Sequence, residues 1–395
     1  MKHPYKEIGD YARWDRGVAD LKPRNVDPVV SFPIRITQEQ RIVTAGSCFA
    51  QHIARYLQES GFNYFVTEPG HPLLDDQTRK DFNYGVFSAR YGNLYTSRQL
   101  VQLFRRAYGE LVPEDDVWDA FIDPYRPAIQ PGGFPTRREY DLDREQHFAA
   151  VRRAFEELDV LVFTFGLTET WTSRSDGAAF PLAPGVAGGT FDPDRYVFVN
   201  LGVADVVAEM TEFIDALRRV NPSSQVILTV SPVPLFATAV DRHVLVSTTY
   251  SKSVLRVAAE TLTQDLEGVH YFPSYEIVTG NFSRGTYFAD DLRSIRERGV
   301  EHVMSLFFEH ATEAPEPGEE PEPRPSSEQQ RATAAARKFD EEMEQLVNVL
   351  CDEELIGAAE NGARPTRAAR KGRAKKGTKR VGTKAARSAR RRAKS

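Results

Sequence analysis

Four stretches of the chain are apolar at almost every position, and each stops at a glycine or a proline. Ile42–Ala45 runs into Gly46, and the run from Val160 to Phe165 ends at Gly166. Gln225–Val230 is stopped by Ser231-Pro232, and the short Val269-His-Tyr-Phe272 by Pro273. Strands that are apolar throughout fit a parallel sheet covered on both faces. Between them the apolar positions recur at helical spacing. Ile53, Tyr56 and Leu57 share one face of a helix that starts at Phe49. Thr96 is placed to cap a helix carrying Leu100, Leu103 and Phe104. Further helices are expected near 143–157, 204–219, from Thr248 to about 266, and 297–310. Strands alternating with helices predict an α/β fold: a three-layer α/β/α sandwich around a mainly parallel sheet.

The remaining segments divide the chain. Residues 1–34 read as an irregular lead-in to an α/β domain spanning 35–311. Within it, 110–142 and 172–200 lack clear periodicity and read as insertions on the rim. An acidic, proline-rich linker covers 312–328, extended and without core-forming residues. Residues 329–361 show helical spacing at Phe339, Met343, Leu346, Val347 and Leu350, a helix expected to dock on the body or on a partner. Residues 362–395 carry 15 Lys and Arg with no Asp or Glu, so a disordered basic tail is expected. The net charge of −5 therefore hides an asymmetry: subtracting the tail's +15 leaves −20 for residues 1–361.

No apolar run approaches the length of a membrane span, and the charged start Met1-Lys-His-Pro-Tyr-Lys-Glu lacks the apolar core of a secretory signal. The two cysteines, Cys48 and Cys351, suggest neither a disulfide framework nor a zinc site. The expected compartment is a reducing cytoplasm, with no metal and no cofactor.

The first strand and helix meet at Gly46-Ser47-Cys48. A sharp strand-to-helix turn sits at the carboxyl end of the sheet, where open α/β sheets keep their sites and where free helix N–H groups can stabilise an anion. On a plain structural reading Gly46 permits the turn, Ser47 caps the helix and Cys48 is a small buried hydrophobe. On a chemical reading Ser47 or Cys48 is a nucleophile.

The pentapeptide Gly46-Ser-Cys-Phe-Ala50 resembles the signature of the GSCFA-domain family, which is similar to the SGNH (GDSL-like) hydrolases, three-layer α/β/α enzymes acting on esters. The resemblance covers about residues 35–310. It implies a nucleophile block at Ala45–Ala50, an oxyanion-glycine block at Gly92-Asn93, a Gly-x-Asn element at Gly166-Leu-Thr-Glu169, and a terminal Asp-x-x-His block around Asp290-Asp291. Laid on G-D-S-L without a gap, Cys48 falls on the nucleophile; a shift of one residue selects Ser47. The sequence departs from the pattern at Asp291-Leu-Arg-Ser294, which ends in serine where a histidine base is expected. Starting at Asp290 gives Arg293 instead. His243 and His302 are the histidines that could substitute.

The resemblance implies an ester hydrolase or acyl-transfer enzyme, with an acylated small molecule or saccharide as substrate. Cys48 or Ser47 would attack the carbonyl. The Gly46 turn, Gly92, Asn93, Gly166 and Thr168 would hold the oxyanion or the substrate. His243 or His302, oriented by Asp290, Asp291 or Glu169, would carry the proton. Lys252 and Arg256, one turn apart, either face an anionic substrate or are ordinary surface charges. Two other readings stand beside this one. The missing histidine favours a catalytically degenerate binding protein. The basic tail favours a protein associated with nucleic acid, anionic lipid or acidic polysaccharide through 362–395.

Overall fold

The computed structural model of the protein describes residues 3–313 and 352–360. Its centre is a parallel sheet of four strands in the order β1 (Ile42–Gly46), β2 (Val160–Phe165), β6 (Gln225–Val230) and β7 (Val269–Tyr271). These are the four apolar runs. Both faces are buried, as their composition requires. Val43, Leu161, Phe163, Val226 and Leu228 point into one core with the helices α3 (Ser97–Ala107), α4 (Arg137–Glu157), α5 (Val203–Val220) and α6 (Val244–Asp265). Ile42, Val160, Val162 and Ile227 point into the other with α1 (Phe49–Glu59), α7 (Ser274–Thr279) and α8 (Glu297–Ala311). The fold is thus an α/β/α sandwich with one parallel sheet. Among the described residues no helix is long and apolar enough to cross a membrane.

Local chemistry sets the helix starts. Thr96 and Gln99 form a capping box at α3, with the Thr96 hydroxyl accepting from the Gln99 N–H and the Gln99 side chain reaching back. Thr136 caps α4, which begins at Arg137 rather than near 143; its first turn, Arg-Arg-Glu-Tyr, is polar and carries no apolar period. His243 caps α6, so that helix also starts earlier than expected.

The stretch 172–200, expected as an irregular insertion, carries two strands and the end of a third in a second, antiparallel sheet. It has the order β4 (Ala179–Phe180), β3 (Glu169–Ser173) and β5 (Tyr196–Asn200). Phe180 and Tyr196 pack there with Trp118 and Tyr125 of the other insertion in a third, small core. A short helix, α2 (Asp76–Asp81), lies before the Gly92 loop. Just after the lead-in, Ile36 donates to the Ala311 carbonyl and accepts from the Glu313 N–H, tying the start of the domain to the end of α8. Most of the acidic linker, the apolar positions from Phe339 to Leu350, and the basic tail lie outside the described residues. The last described element, α9 (Glu354–Glu360), follows Asp352 and Glu353, and both of these are buried against the body.

Candidate functional site

At the carboxyl end of the sheet three separated blocks are stitched together by backbone hydrogen bonds. The Ser47 N–H donates to the Thr164 carbonyl of β2 at 3.0 Å. The Leu94 N–H donates to the Gly46 carbonyl at 2.8 Å, and the Tyr95 carbonyl accepts from the N–H groups of Gly166 and Leu167 at 2.9 and 3.1 Å. The nucleophile block, the Gly92-Asn93 loop and the Gly166 turn therefore form one edge, as spacing along the chain could not show.

Ser47 and Cys48 part company in this frame. Cys48 is the N-cap residue of α1, partly exposed, and not in a disulfide among the described residues. Helix first turns leave N–H groups without an intrahelical acceptor, so its sulfur sits beside a positive dipole end. Ser47 is buried, and its Oγ has no hydrogen-bond partner among the described residues. Both line a pocket of about 220 Å3, partly open to solvent, with Tyr95, Gly166, Leu167, Ser231, Val233, Pro234, Leu235 and Glu353.

The remaining candidates are distributed as follows. Asn93 is buried next to the first turn of α1: its Oδ1 accepts from Gln51 Nε2 at 2.9 Å, and its Nδ2 donates to Asp352 Oδ2 at 3.1 Å. Gly92 takes a positive φ of 72° and passes close to Arg126, where a Cβ would lie 3.7 Å from the Arg126 Cβ. Thr168 is fully buried and committed, its hydroxyl donating to Asn200 Oδ1 at 2.6 Å and its N–H to Ser251 Oγ at 3.0 Å. Glu169 clamps the 238–239 loop, accepting from Thr238 Oγ1 and the Ala239 N–H.

Neither histidine lines the pocket. His243 is exposed, and its Nδ1 accepts from the Leu245 N–H at the start of α6. His302 is a buried residue of α8 packed against Phe282 and Tyr287, with Nδ1 2.9 Å from the Tyr287 hydroxyl. Burial lowers its pKa. Asp291 closes its own turn: Oδ1 accepts from the N–H groups of Arg293 and Ser294, and Oδ2 from Ser294 Oγ at 2.6 Å. Asp290 is exposed and paired with Arg296. What that turn delivers to the site is Arg293. Its Nε donates to the Pro234 carbonyl at 3.2 Å and its Nη2 to Glu353 at 2.7 Å.

Lys252 also reaches the site, with its buried Nζ donating to the Gly166 carbonyl at 2.6 Å. Arg256 turns away to Glu260 and Glu276. Among the described residues no group of three or more His, Cys, Asp or Glu is placed to hold a metal ion.

The residues that reading the sequence missed are Asp352 and Glu353. Glu353 forms part of the pocket wall and accepts from Arg293 and, at 3.4 Å, from the Phe236 N–H. Burial raises both carboxyls above their ordinary range. Asp352 is pushed up to about 7, with the Asn93 hydrogen bond working against the rise and Glu353 adding to it. For Glu353, Arg293 and Lys252 oppose the effect of burial without cancelling it. One signal was present: the acidic run Asp352-Glu-Glu354 has no Lys or Arg between Lys338 and Arg364 to pair with locally.

Residues 41–307 match the model of the GSCFA family. A comparison with curated proteins finds no match.

Proposed function

The chain belongs to the GSCFA family, and from that premise and the geometry of its site we propose an SGNH-like ester hydrolase or acyl-transfer enzyme with Cys48 as the nucleophile. One observation carries the reading: of the two adjacent nucleophile types, Cys48 is the partly exposed one, at the N-terminus of α1 and on the pocket wall. The thiolate is the reactive form. Its sulfur attacks the ester carbonyl, the C–O bond breaks, and the alcohol leaves with a proton from water. The resulting thioester is cut by water, releasing the acid and regenerating Cys48, or is passed to an acceptor hydroxyl. The positive dipole end of α1 stabilises the tetrahedral oxyanion, since the Ser47, Ala50 and Gln51 N–H groups already donate to the Thr164, Ser47 and Cys48 carbonyls. The substrate is an acylated small molecule or saccharide, and the reducing cytoplasm keeps the thiol free.

A binding protein that keeps the pocket without turnover is the second reading. It is favoured by Thr168, whose hydroxyl is held by Asn200, and by the lack of a histidine among the described pocket residues.

A short-chain aryl ester panel tests the first reading, with Cys48→Ala and Ser47→Ala run alongside. Turnover lost in Cys48→Ala and kept in Ser47→Ala, with a trapped adduct on Cys48 by peptide mass, is the expected result. Equal turnover in all three proteins would end the proposal for Cys48 and leave the binding reading.

A further inference from the structure

The pocket beside Cys48 is small for a ligand site. It has about 220 Å3 only when space open to solvent is included. The reason lies in its wall. Glu353 supplies one side, and it arrives from a segment separated by 38 residues from the last described residue of the body.

That segment is fastened at three points. Asp352 Oδ2 accepts from the Asn93 amide, and Glu353 accepts from Arg293 and the Phe236 N–H. Gly357 of α9 lies against the Phe236 ring so closely that a Cβ would stand 2.9 Å from Cζ.

The body contributes a cationic and amide-lined cradle, and the segment contributes two carboxylates. Arg293 donates directly, and Lys252 also favours the ionised form of Glu353. The Asn93 amide points at an Asp352 oxygen. Burying carboxylates costs several kcal/mol per ion unless matched donors receive them. The cradle's donors hold both carboxyl groups without cancelling the cost of burying them; with the segment away and the cradle open to water, the same donors can receive a carboxylate of a ligand.

Resting on the reading of the Cys48 pocket as the acyl site, we infer that Asp352 and Glu353 occupy the subsite for a carboxylate-bearing part of the substrate, so that the C-terminal segment and the substrate exclude one another. The substrate is then anionic near its reacting carbonyl, with its carboxylate on Arg293 and Asn93. With the segment docked, the pocket is too narrow for an acyl group. With it released, Cys48 faces a wider opening between Arg293, Asn93 and the Gly166 turn.

The test uses the full chain and the rate of Cys48 alkylation by iodoacetamide, resolved from Cys351 by peptide mass. Replacing Asp352 and Glu353 together by Ala removes the contacts to Asn93, Arg293 and the Phe236 N–H and weakens docking. Alkylation is expected to rise about tenfold, since access follows the open fraction of a segment docked more than about 90% of the time. Millimolar malonate or glucuronate should then slow alkylation of that variant, while neutral malonamide should not. Protection by malonate alone puts the carboxylate on the acyl part; protection by glucuronate alone puts it on a sugar. In the wild type the same anions should speed amide hydrogen exchange across 354–360, a readout that needs no variant. Alkylation unchanged or slowed in the variant, or no protection by either anion, overturns the inference. These readouts do not depend on ester turnover, so a failed esterase assay leaves them standing.

Discussion

Gly46 and the Thr164 carbonyl are packed so closely that a Cβ on residue 46 would stand 2.2 Å from the oxygen. Gly46 pairs with Thr164 at the last register position of β1 on β2, and its φ is +132°. The turn that presents Cys48 can form because residue 46 has no side chain. Gly46→Ala meets both a steric clash with backbone and an unfavourable φ, each costing about 1–3 kcal/mol. The expected loss is about 2–6 kcal/mol in urea unfolding. A loss below 0.5 kcal/mol, to take about the noise for surface substitutions, would contradict this account.

The neighbouring Ser47 should behave in the opposite way. Its hydroxyl is buried without a partner among the described residues, and an unsatisfied buried hydroxyl stabilises nothing. Ser47→Ala is expected to leave stability unchanged or raise it by up to about 1 kcal/mol, read as the midpoint of thermal unfolding. A clear loss of stability would show that Oγ has a partner in solution.

Much of the parallel sheet was legible because its strands are apolar on both faces, and a glycine or proline marks each end. The second sheet was not. Glu169-Thr-Trp-Thr-Ser173 is short and has one apolar residue, Trp171, so it shows no apolar period, and its partners lie up to about 30 positions away. The site was legible in its blocks but not in its contents. Backbone hydrogen bonds bring the Gly46 turn, the Gly92-Asn93 loop and the Gly166 turn together, which their separation along the chain does not show. Asp291 instead spends its oxygens on its own turn and sends Arg293 inward. Asp352 and Glu353 lack local Lys or Arg partners, but nothing along the chain reveals that Arg293 and Asn93 receive them.

A buried ionic network holds the loop that carries Asn93. Glu68 Oε2 accepts from the Arg90 N–H at 2.7 Å and lies 2.9 Å from His147 Nδ1. Arg126 joins Asp123 and Asp143, and its Nη1 donates to the Arg90 carbonyl. Burial works against the Glu68 carboxylate, but His147, Arg126 and Arg90 outweigh it and hold the carboxyl at about 2, against an ordinary 4.5. Glu68→Gln leaves buried cations short of a counterion, and such breaks cost about 3–5 kcal/mol. Because the folded pKa is depressed, the stabilisation is complete above about pH 4.5 and is lost as pH falls toward 2. Wild type should therefore lose more stability than Glu68→Gln between pH 5 and about 2.5 in urea titrations. Parallel pH profiles would sink the assignment.

The docked segment should respond to pH in the reverse sense. Asp352 is raised from an ordinary 3.8 to about 7 when docked, by burial first and by Glu353 next. The groups facing the pair are Asn93, Arg293 and Lys252, with Arg126 on the wall of the adjoining pocket. A docked group with a raised pKa holds a proton that the free segment releases. Docking is thus strongest below about pH 4, weakens as pH rises toward 7 by up to about tenfold per unit, and levels off above that. Glu353, raised in the same direction, steepens the trend. Hydrogen exchange across 354–360, corrected for intrinsic rates, should show opening that grows from pH 5 to 7. Asp352→Asn should flatten the slope by removing one of the two titrating groups. Opening that shrinks as pH rises, or an unchanged slope in Asp352→Asn, would mean that Asp352 is ionised in the docked state and that Arg293 alone sets the docking energy.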